Sequence, residues 1–559
     1  MLRKFPIASW LFVYRREWLR ADVVAGLTAA AVVIPQAMAY AVIAGLSIET
    51  GLFTALATML VYPLLGSSRP LSVTTTSAIA MLTATQIAAV TAGSSIGAST
   101  VAATLALLVG GVLVLARLLR LGFLANFISL PVLIGFEAGV GIVILIGQLK
   151  SVLGVHVTSK ATVGILLELP SLLPQVHGVT VLVALAGVAV LLGLPRLFPR
   201  LSAPLVWVAL SIVASAAFSL EALGVKSVGT VSSGLPSLVL PDLSLVALLW
   251  PAALGIALMS FTESVAAART FCRQDDPPVN ANQELLAVGA ANVASALVGG
   301  LPAGGGTSQT AIVDSAGARS QMAQLVNAVV VLLTLLLLAR AISLLPQAAL
   351  GSLILMASIS MIKPEAFRSI VRVRRMELAW ALVTLAGVIF IGTLEGILIA
   401  VTISILTLFY QANHPPVYAV AYNREKGIFR RAGEHASDET FPGLLILRTE
   451  GRLTFANAAN AREKMQALVA QTQPRVIVLE CSAIPDIEYT ALVMLTEAEQ
   501  NMRARGVTLW LAAVNPDLLK TIERSPLGAA LGHERMFFNL PKVLEAWQAH
   551  SSHGGVRHV

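Results

Sequence analysis

Apolar segments fill the chain from about residue 22 to residue 411, and short turns rich in glycine, proline, serine and arginine separate them. A helix that crosses a bilayer needs about 20 apolar residues, so this stretch predicts about twelve to fourteen spans. Some segments are short or carry a proline, as at Pro35, Pro131 and Pro302. Such interruptions predict broken or half-length helices.

The pattern becomes that of a soluble domain after residues 413–416 (NHPP), where charged residues become frequent. Apolar runs typical of strands alternate there with helical patterns, in the order 443–451, 456–472, 476–479, 489–506, 507–514 and 516–523. This alternation predicts a small α/β domain. The predicted fold class is therefore an α-helical membrane protein of about fourteen spans, followed by a small α/β domain.

The composition supports the membrane class. Hydrophobic residues make up 56% of the chain and charged residues 12%, whereas about a quarter of the residues are charged in soluble proteins. The formal net charge of +8 does not indicate nucleic-acid binding, because the basic residues cluster at the ends of apolar segments. We assign five basic clusters to the cytoplasm: Arg3 to Arg20, Arg117 and Arg120, Arg196 and Arg200, Arg269 and Arg273, and Arg368, Arg372, Arg374 and Arg375.

The loops assigned to the opposite side, near residues 91–99 and 221–243, contain Lys226 as their single basic residue. Both chain ends therefore fall in the cytoplasm, and we predict a multi-pass protein of the cell inner (plasma) membrane. The predicted parts are an N-terminal cytoplasmic or interfacial segment (1–21), a transmembrane domain (22–413), a linker with a first strand (414–442), an α/β domain (443–549) and a tail (550–559).

The first 24 residues do not form a signal peptide, because charged and aromatic residues alternate and no small-residue cleavage site follows. We predict an interfacial helix with Trp10, Tyr14 and Trp18 at the level of the headgroups. The two cysteines, Cys272 and Cys481, are expected to be reduced thiols on the cytoplasmic side. No metal-type spacing of cysteine and histidine occurs, and no cofactor is predicted.

Two hydroxyl-rich stretches, residues 72–77 (SVTTTS) and 304–310 (GGGTSQT), each open an apolar segment. They occupy matching places in two halves of the transmembrane domain, about 22–222 and 244–413, which is typical of transporter sites near the midplane. Helix N-termini carry partial positive charge and unpaired donors, so two that point at one place form an anion site. The alternative role for the GGGTS run is close helix packing. The pattern predicts that the chain carries an anion across a membrane.

Ionisable and polar residues inside the spans are further candidates. Glu263 lies within an apolar run, where a carboxyl usually faces a cavity and has a function; pairing with Arg269 or Arg273 is the structural alternative. Near a bound anion the buried carboxyl favours its protonated form, so it could couple anion movement to protons. Glu137 is a second such carboxyl, expected to pair with Lys150 or Arg69 or to sit in a polar crevice.

With these residues in place, the whole chain resembles the sulfate permease (SulP) transporters, the bacterial members of solute carrier family 26. The matching blocks occur in the family's order, at residues 25–52, 66–80, 263–270 and 304–320. Residues 444–458 and 484–506 are similar to the sulfate-transporter and anti-sigma-antagonist (STAS) domain.

The resemblance implies fourteen spans in two inverted seven-span repeats, divided into a core and a gate domain and commonly assembled as a dimer. It places the anion between the N-termini of the third and tenth helices, with side chains of the first and eighth helices around it. Carried over to this sequence, the substrate site comprises Gln36 and Tyr40, then Thr74, Thr75 and Thr76, then Thr307, Ser308 and Gln309. Glu263 lies on the eighth helix and is the candidate for the coupling ion.

The chain departs from its relatives at two places in this site. Many relatives carry Gly-Pro where Thr74-Thr75 stands, and arginine where Gln309 stands. Without that arginine the site depends on helix dipoles, hydroxyls and Gln309, which does not favour a strongly bound divalent anion. Family members move sulfate, bicarbonate, chloride, oxalate or dicarboxylates, and the sequence does not choose among them. In the STAS domain, Thr490 stands near the family's phosphate acceptor, with a helix cap as its alternative role.

We predict a secondary active transporter of a small inorganic or organic anion of the sulfate, bicarbonate or dicarboxylate class, working by alternating access. Proton coupling through Glu263 is the preferred scheme, with sodium coupling or exchange as alternatives. Expected partners are the anion, a proton or sodium ion, the lipid bilayer and a second copy of the chain, without nucleic acid. A nucleobase-type carrier of the same fold and a membrane-tethered STAS signalling module are the alternatives. No nucleophile, base and orienting group occur together, so no enzyme is predicted.

Overall fold

The computed structural model describes residues 9–92, 96–126, 129–157, 159, 162–198, 201–229, 234–435 and 437–553. The chain forms two compact units, Met1–Ile405 and Leu406–Val559. Arg3, Arg200 and residues 554–559 of the predicted tail lie outside the described residues.

The first unit is helical. Its helices are α1 (Leu19–Ile43), α2 (Ile48–Leu65), α3 (Ser77–Thr91), α4 (Ala98–Leu118), α5 (Leu130–Gly147), α6 (Leu149–Leu153), α7 (Thr162–Leu172), α8 (Gly178–Leu197), α9 (Ala203–Phe218), α10 (Val246–Thr270), α11 (Ala281–Leu297), α12 (Thr307–Ser315), α13 (Met322–Leu337), α14 (Ala339–Ile342), α15 (Gln347–Met361), α16 (Pro364–Val373), α17 (Arg375–Phe390) and α18 (Thr393–Asn413), the last of which continues into the second unit.

Eight helical segments of the described residues are long and apolar enough to cross a membrane: Arg16–Ile43, Ile48–Leu65, Ala98–Leu118, Leu130–Leu153, Gly178–Leu197, Leu243–Thr270, Gln347–Val373 and Thr393–Asn413. Three shorter apolar helices, α3, α9 and α13, accompany them. The predicted class of helical membrane protein is confirmed. The count of fourteen spans needs half-length helices as well as these, and it stays a prediction.

The three prolines act differently from one another. Helix α1 runs through Pro35 without a break, so the predicted interruption there is wrong. Pro131 lies in the first turn of α5, where the missing N–H costs no helical hydrogen bond. Pro302 lies in the non-helical segment before α12, which has only nine residues. The prediction of a short, interrupted helix is therefore confirmed in the second half of the transmembrane unit.

The N-terminal segment also differs from the prediction. It forms two short 3-10 turns, Ser9–Val13 and Arg16–Trp18, rather than one helix. Trp10 is buried, and its Nε1 donates a hydrogen bond of 2.7 Å to the carbonyl oxygen of Pro63. This indole is therefore held against α2 instead of facing the headgroups.

Two short strands meet in the middle of the transmembrane unit. Strand β1 (Val73–Thr74) pairs with β2 (Gly304–Gly305) in an antiparallel ladder. Helix α3 starts three residues after β1, and α12 starts two residues after β2. The pairing therefore brings the N-termini of two short helices, one from each half of the chain, to the same place.

Strand β2 lies directly against α10, and this contact explains its glycines. A Cβ atom at Gly305 would stand 2.8 Å from the Cα atom of Ser264, and one at Gly304 would stand 3.1 Å from the Cα atom of Ser260. Ser264 Oγ also accepts a 2.7 Å hydrogen bond from the backbone N–H of Gly305. The predicted packing role of this glycine run is thus confirmed for Gly304 and Gly305.

We expect Gly305→Ala to destabilise the transmembrane unit by about 1–3 kcal/mol, since the added methyl group meets backbone that must move. Thermal unfolding of the purified protein in detergent measures the loss. Gly111→Ala is the matched control, because a Cβ atom there meets nothing within 4 Å. Equal unfolding temperatures for the two variants would contradict the close contact of β2 with α10.

The second unit is a small α/β domain, as predicted. Its strands are β3 (Val417–Asn423), β4 (Ile428–Arg431), β5 (Asp438–Glu439), β6 (Leu444–Thr449), β7 (Val476–Glu480), β8 (Thr508–Ala512) and β9 (Met536–Phe537). Its helices are α19 (Ala458–Thr472), α20 (Tyr489–Ala504), α21 (Pro516–Glu523), α22 (Pro526–Leu531) and α23 (Leu540–His553). The sheet has the order β4-β3-β6-β7-β8-β9, and β5 pairs with β3.

Strands β6 to β9 are parallel, and β3 joins β6 antiparallel. Alternate residues of β6 enter two cores: Leu445 packs with residues of α19 to α22, and Leu444 packs with residues of α23. This alternation is the period of two expected for a strand covered on both faces. Cys481 follows β7 as a free, fully buried thiol, and burial raises the pKa of this thiol above its ordinary range. Cys481 is therefore an unreactive core residue.

Candidate functional site

The site is organised by the N-termini of α3 and α12. Helix α3 is capped by Thr76, whose Oγ1 accepts from the backbone N–H of Ile79 at 3.4 Å. Helix α12 follows Gly306, which has no side chain to cap it. The first backbone N–H groups of a helix have no partner within the helix. An uncapped helix start of this kind is a site where an anion can bind.

A chain of buried and partly buried polar side chains joins these two helix starts to α1. Thr74 Oγ1 donates a 2.6 Å hydrogen bond to Gln309 Oε1. Gln309 Nε2 in turn donates to Gln36 Oε1 at 3.2 Å. Thr74 and Gln309 are 1% and 2% exposed. Three of the predicted site residues, from three separate parts of the sequence, are therefore in direct contact.

The remaining hydroxyls of the two stretches lie differently. Thr75 is buried, and its Oγ1 donates to the carbonyl oxygen of Pro302 at 3.0 Å, which braces β1 against the segment before β2. Thr307 and Ser308 are exposed. Their hydroxyls are therefore the accessible ones at the start of α12, whereas Thr75 has a structural contact.

Glu263 is bound to the start of α3. The Oγ1 atom of Thr76 donates a 2.9 Å hydrogen bond to Glu263 Oε2. The alternative of pairing with Arg273 is wrong, because Arg273 binds Asp314 at 3.0 Å through Nε. Helix α10 thus contributes a partly buried carboxylate next to one of the two helix starts, as predicted from its position in the chain.

Glu137 has a different partner from the predicted ones. Its Oε2 forms a 2.9 Å ion pair with Lys363 Nζ, whereas Arg69 pairs with Asp276. Lys363 follows α15, which the sequence does not place near α5. Glu137 is therefore paired with a lysine of the segment that joins α15 to α16.

Gln36 and Tyr40 lie one turn apart on α1 and line the same cavity of about 310 Å³. The other walls of this cavity come from α8, α9 and α15. Tyr40 is 6% exposed. The two side chains therefore face one cavity between α1 and its neighbouring helices. Gln36 also accepts the hydrogen bond from Gln309.

Two buried carboxylates bind loops next to the site, and the sequence analysis did not single out either of them. Glu284, at the start of α11, accepts hydrogen bonds from Tyr62 Oη at 2.8 Å and from the N–H and Oγ of Ser67 at 2.8 and 2.6 Å. Asp22, at the start of α1, accepts from the backbone N–H groups of Arg319 and Ser320 at 2.6 and 3.1 Å. Both are fully buried. Each ties down a loop, one before β1 and one after α12.

Thr490 of the second unit is exposed in the first turn of α20. The N-cap of α20 is Glu488, so the alternative role of Thr490 as the helix cap is wrong. Glu488 Oε2 instead accepts from the backbone N–H of Phe455 at 3.2 Å. The described residues contain no group of histidine, cysteine, aspartate and glutamate that could hold a metal ion.

Comparison with known proteins gives a family for each part of the chain. Residues 19–384 match the model of the sulfate permease family, and residues 435–539 match that of the STAS domain. A probable sulfate transporter of Mycobacterium tuberculosis is 37% identical over 545 residues, which cover 96% of either chain.

Two solved structures share the fold. The murine solute carrier 26 family member A9 anion transporter, in its inward-facing state, gives a TM-score of 0.86 at 22% identity and covers 98% of this chain and 94% of its own. The transmembrane domain of a cyanobacterial bicarbonate transporter gives a TM-score of 0.60 at 24% identity, covering 70% of this chain and 98% of its own. Because both sequence identities are below 25%, these two structures show a shared fold and nothing further.

Proposed function

Because this chain belongs to the sulfate permease family and carries a cytoplasmic STAS domain at its C-terminal end, we propose that it is a secondary active transporter of a small anion. The anion binds between the starts of α3 and α12, and alternating access moves it across the membrane. The observation that carries this proposal is the polar chain from Thr74 through Gln309 to Gln36, which joins both helix starts to α1.

The substrate class follows from what this site offers. The starts of two helices contribute partial positive charge, and Thr307 and Ser308 contribute exposed hydroxyls. The side chain that joins Thr74 to Gln36 in this site is the neutral Gln309 rather than a cation. We therefore infer a small oxyanion or carboxylate, in the class of sulfate, bicarbonate and dicarboxylates, held by hydrogen bonds without a fixed positive charge.

The preferred energising scheme is proton coupling through Glu263, supported by its bond to the N-cap of α3. When Glu263 is deprotonated it repels an anion at the same helix start, and a proton removes that repulsion. Sodium coupling and anion exchange are the other schemes. We further propose that the protein is a homodimer in the inner membrane and that its N-terminus is cytoplasmic. Phosphorylation at Thr490 would control the STAS domain.

Uptake by the purified protein in liposomes tests the proposed function. Labelled sulfate, bicarbonate and a dicarboxylate are each presented with and without an inward proton gradient. Gradient-stimulated uptake of one anion supports the proposal, and uptake of a nucleobase in place of every anion would contradict it. A variant truncated after Pro416 separates a transporter from a tethered signalling module, because a transporter keeps part of its uptake without the STAS domain.

We expect Gln309→Arg to shift selectivity towards divalent anions by about tenfold or more. One added unit charge at ~5 Å contributes about 3 kcal/mol at an effective dielectric constant of ~20, before the cost of burying the guanidinium is subtracted. Competition of unlabelled sulfate against a labelled monovalent anion measures the shift. Gln309→Met, which is similar in length and uncharged, is the control. An unchanged ratio in the arginine variant would place the anion away from this residue.

A further inference from the structure

Helix α16 (Pro364–Val373) is a short amphipathic helix with one anchored and one open face. Ile370 is buried, and the helix packs against α5 and α17. The open face carries Arg368 and Arg372, both exposed. Val371 and Val373 are also exposed, at 40% and 78%. The helix therefore presents cationic and apolar groups side by side outside the packed protein.

The positive charge of this face is not neutralised within the described residues. Arg374 and Arg375 extend the run beyond the helix, which gives four arginines within eight residues. Arg374 forms an ion pair with Glu377 at 3.8 Å, and the Arg374 side chain is 61% exposed. Exposed pairs of that geometry contribute little. The face thus carries a concentrated positive charge, which is complementary to an anionic partner.

We propose that α16 is a docking surface for anionic phospholipid headgroups of the adjoining membrane leaflet. An amphipathic helix with basic residues on its polar face lies in the interface, with its apolar side chains at the acyl boundary. Guanidinium groups bind phosphate in a bidentate manner, which suits the lipid phosphodiester. A basic segment next to a span is the sequence feature that anionic lipids recognise.

The position of this surface links it to α5 of the transmembrane unit. Lys363, the residue before α16, forms the 2.9 Å ion pair with Glu137 of α5. Bound lipid fixes α16 and therefore fixes the backbone from which Lys363 reaches Glu137. The lipid surface stands on its own observations, whereas its effect on anion uptake rests on the proposed function.

Retention of lipids by the full chain tests the surface. The protein is purified from bilayers containing equal amounts of phosphatidylglycerol and phosphatidylcholine, and mass spectrometry of the intact complexes counts the lipids retained. We expect the wild type to prefer phosphatidylglycerol. The double variant Arg368→Gln/Arg372→Gln should lose that preference about 25-fold, at about fivefold for each basic residue removed.

Two matched variants complete the design. Arg503→Gln/Arg505→Gln removes the same charge from exposed residues of the STAS domain and should retain the wild-type preference. Arg368→Lys/Arg372→Lys keeps the charge at α16 but removes the bidentate contacts, so its preference should lie between those of the wild type and the glutamine variant. Equal lipid preference in the wild type and the α16 glutamine variant would overturn the proposal, as would an equal loss in the STAS-domain variant.

Uptake in liposomes of the same two lipids separates the surface from its consequence. If anionic lipid stimulates uptake in the wild type but not in the α16 glutamine variant, both parts of the proposal are supported. If lipid preference is lost while uptake still responds to anionic lipid, the link through Lys363 is overturned. If the wild type retains phosphatidylglycerol but moves no anion, the proposed function fails and the lipid surface stands.

Discussion

Replacing Ser308 with glutamate is expected to reduce anion uptake about a hundredfold. A carboxylate there would stand at the start of α12, where we place the substrate. Two unit charges at ~5 Å repel by about 3 kcal/mol at an effective dielectric constant of ~20. An acidic residue in the first turn of a helix is favourable for the helix itself, so the fold is preserved. Initial rates of labelled uptake, normalised to the protein reconstituted, measure the loss.

Ser308→Gln is the matched control, because glutamine has the size of glutamate without its charge. Ser308 is exposed, so the larger side chain fits and the glutamine variant should keep most of the uptake. The difference between the two variants therefore reports charge at the site. If both variants lose uptake equally, the effect is steric. If neither does, the start of α12 does not face the anion.

The second large effect is expected at Glu263. In Glu263→Gln, stimulation of uptake by an inward proton gradient should disappear, a change of about five- to hundredfold for a coupling free energy of ~1–3 kcal/mol. Glutamine still accepts the hydrogen bond that Thr76 donates to the carboxylate, so the start of α3 remains in place. What the variant lacks is a group that takes up and releases a proton. Uptake measured at equal internal and external pH should change much less.

Glu137→Gln provides the comparison for Glu263→Gln. Glu137 is already neutralised by Lys363, so we expect this variant to retain its response to the proton gradient. A Glu263→Gln protein with the pH response of the wild type would exclude Glu263 as the coupling residue. Loss of the response in both variants would assign proton coupling to Glu263, Glu137 and Lys363 together rather than to Glu263 by itself.

The class of the protein and the rough position of the site follow from local patterns. The length of the apolar segments predicts spans, and the alternation after residue 416 predicts the α/β domain. The hydroxyl-rich stretches predict two helix starts, which are at Ser77 and Thr307. These features depend on residues close together in the sequence, which a single chain displays without any knowledge of its tertiary contacts.

The contacts around the site that were missed or wrongly assigned join distant parts of the chain. The pairing of Glu137 with Lys363 joins residues 226 positions apart, and no local pattern indicates it. Asp22 and Glu284 stand in the first turns of α1 and α11, where an acidic residue is expected to act on its own helix dipole. Their true partners are the loops near Ser320 and Ser67. Thr75 likewise resembles its neighbours in sequence, but its hydroxyl donates a hydrogen bond to the carbonyl oxygen of Pro302.

The most direct test of the account is to locate the anion itself. Crystals of the protein soaked with selenate or bromide, as heavy-atom replacements for sulfate or chloride, give an anomalous peak at each bound ion. We predict a peak between the starts of α3 and α12, with an oxygen atom of the selenate within ~2.7–3.2 Å of the backbone N–H or hydroxyl of Ser308, and no peak there in Ser308→Glu. A bound ion elsewhere in the transmembrane unit, with this position empty in the wild type, would contradict it.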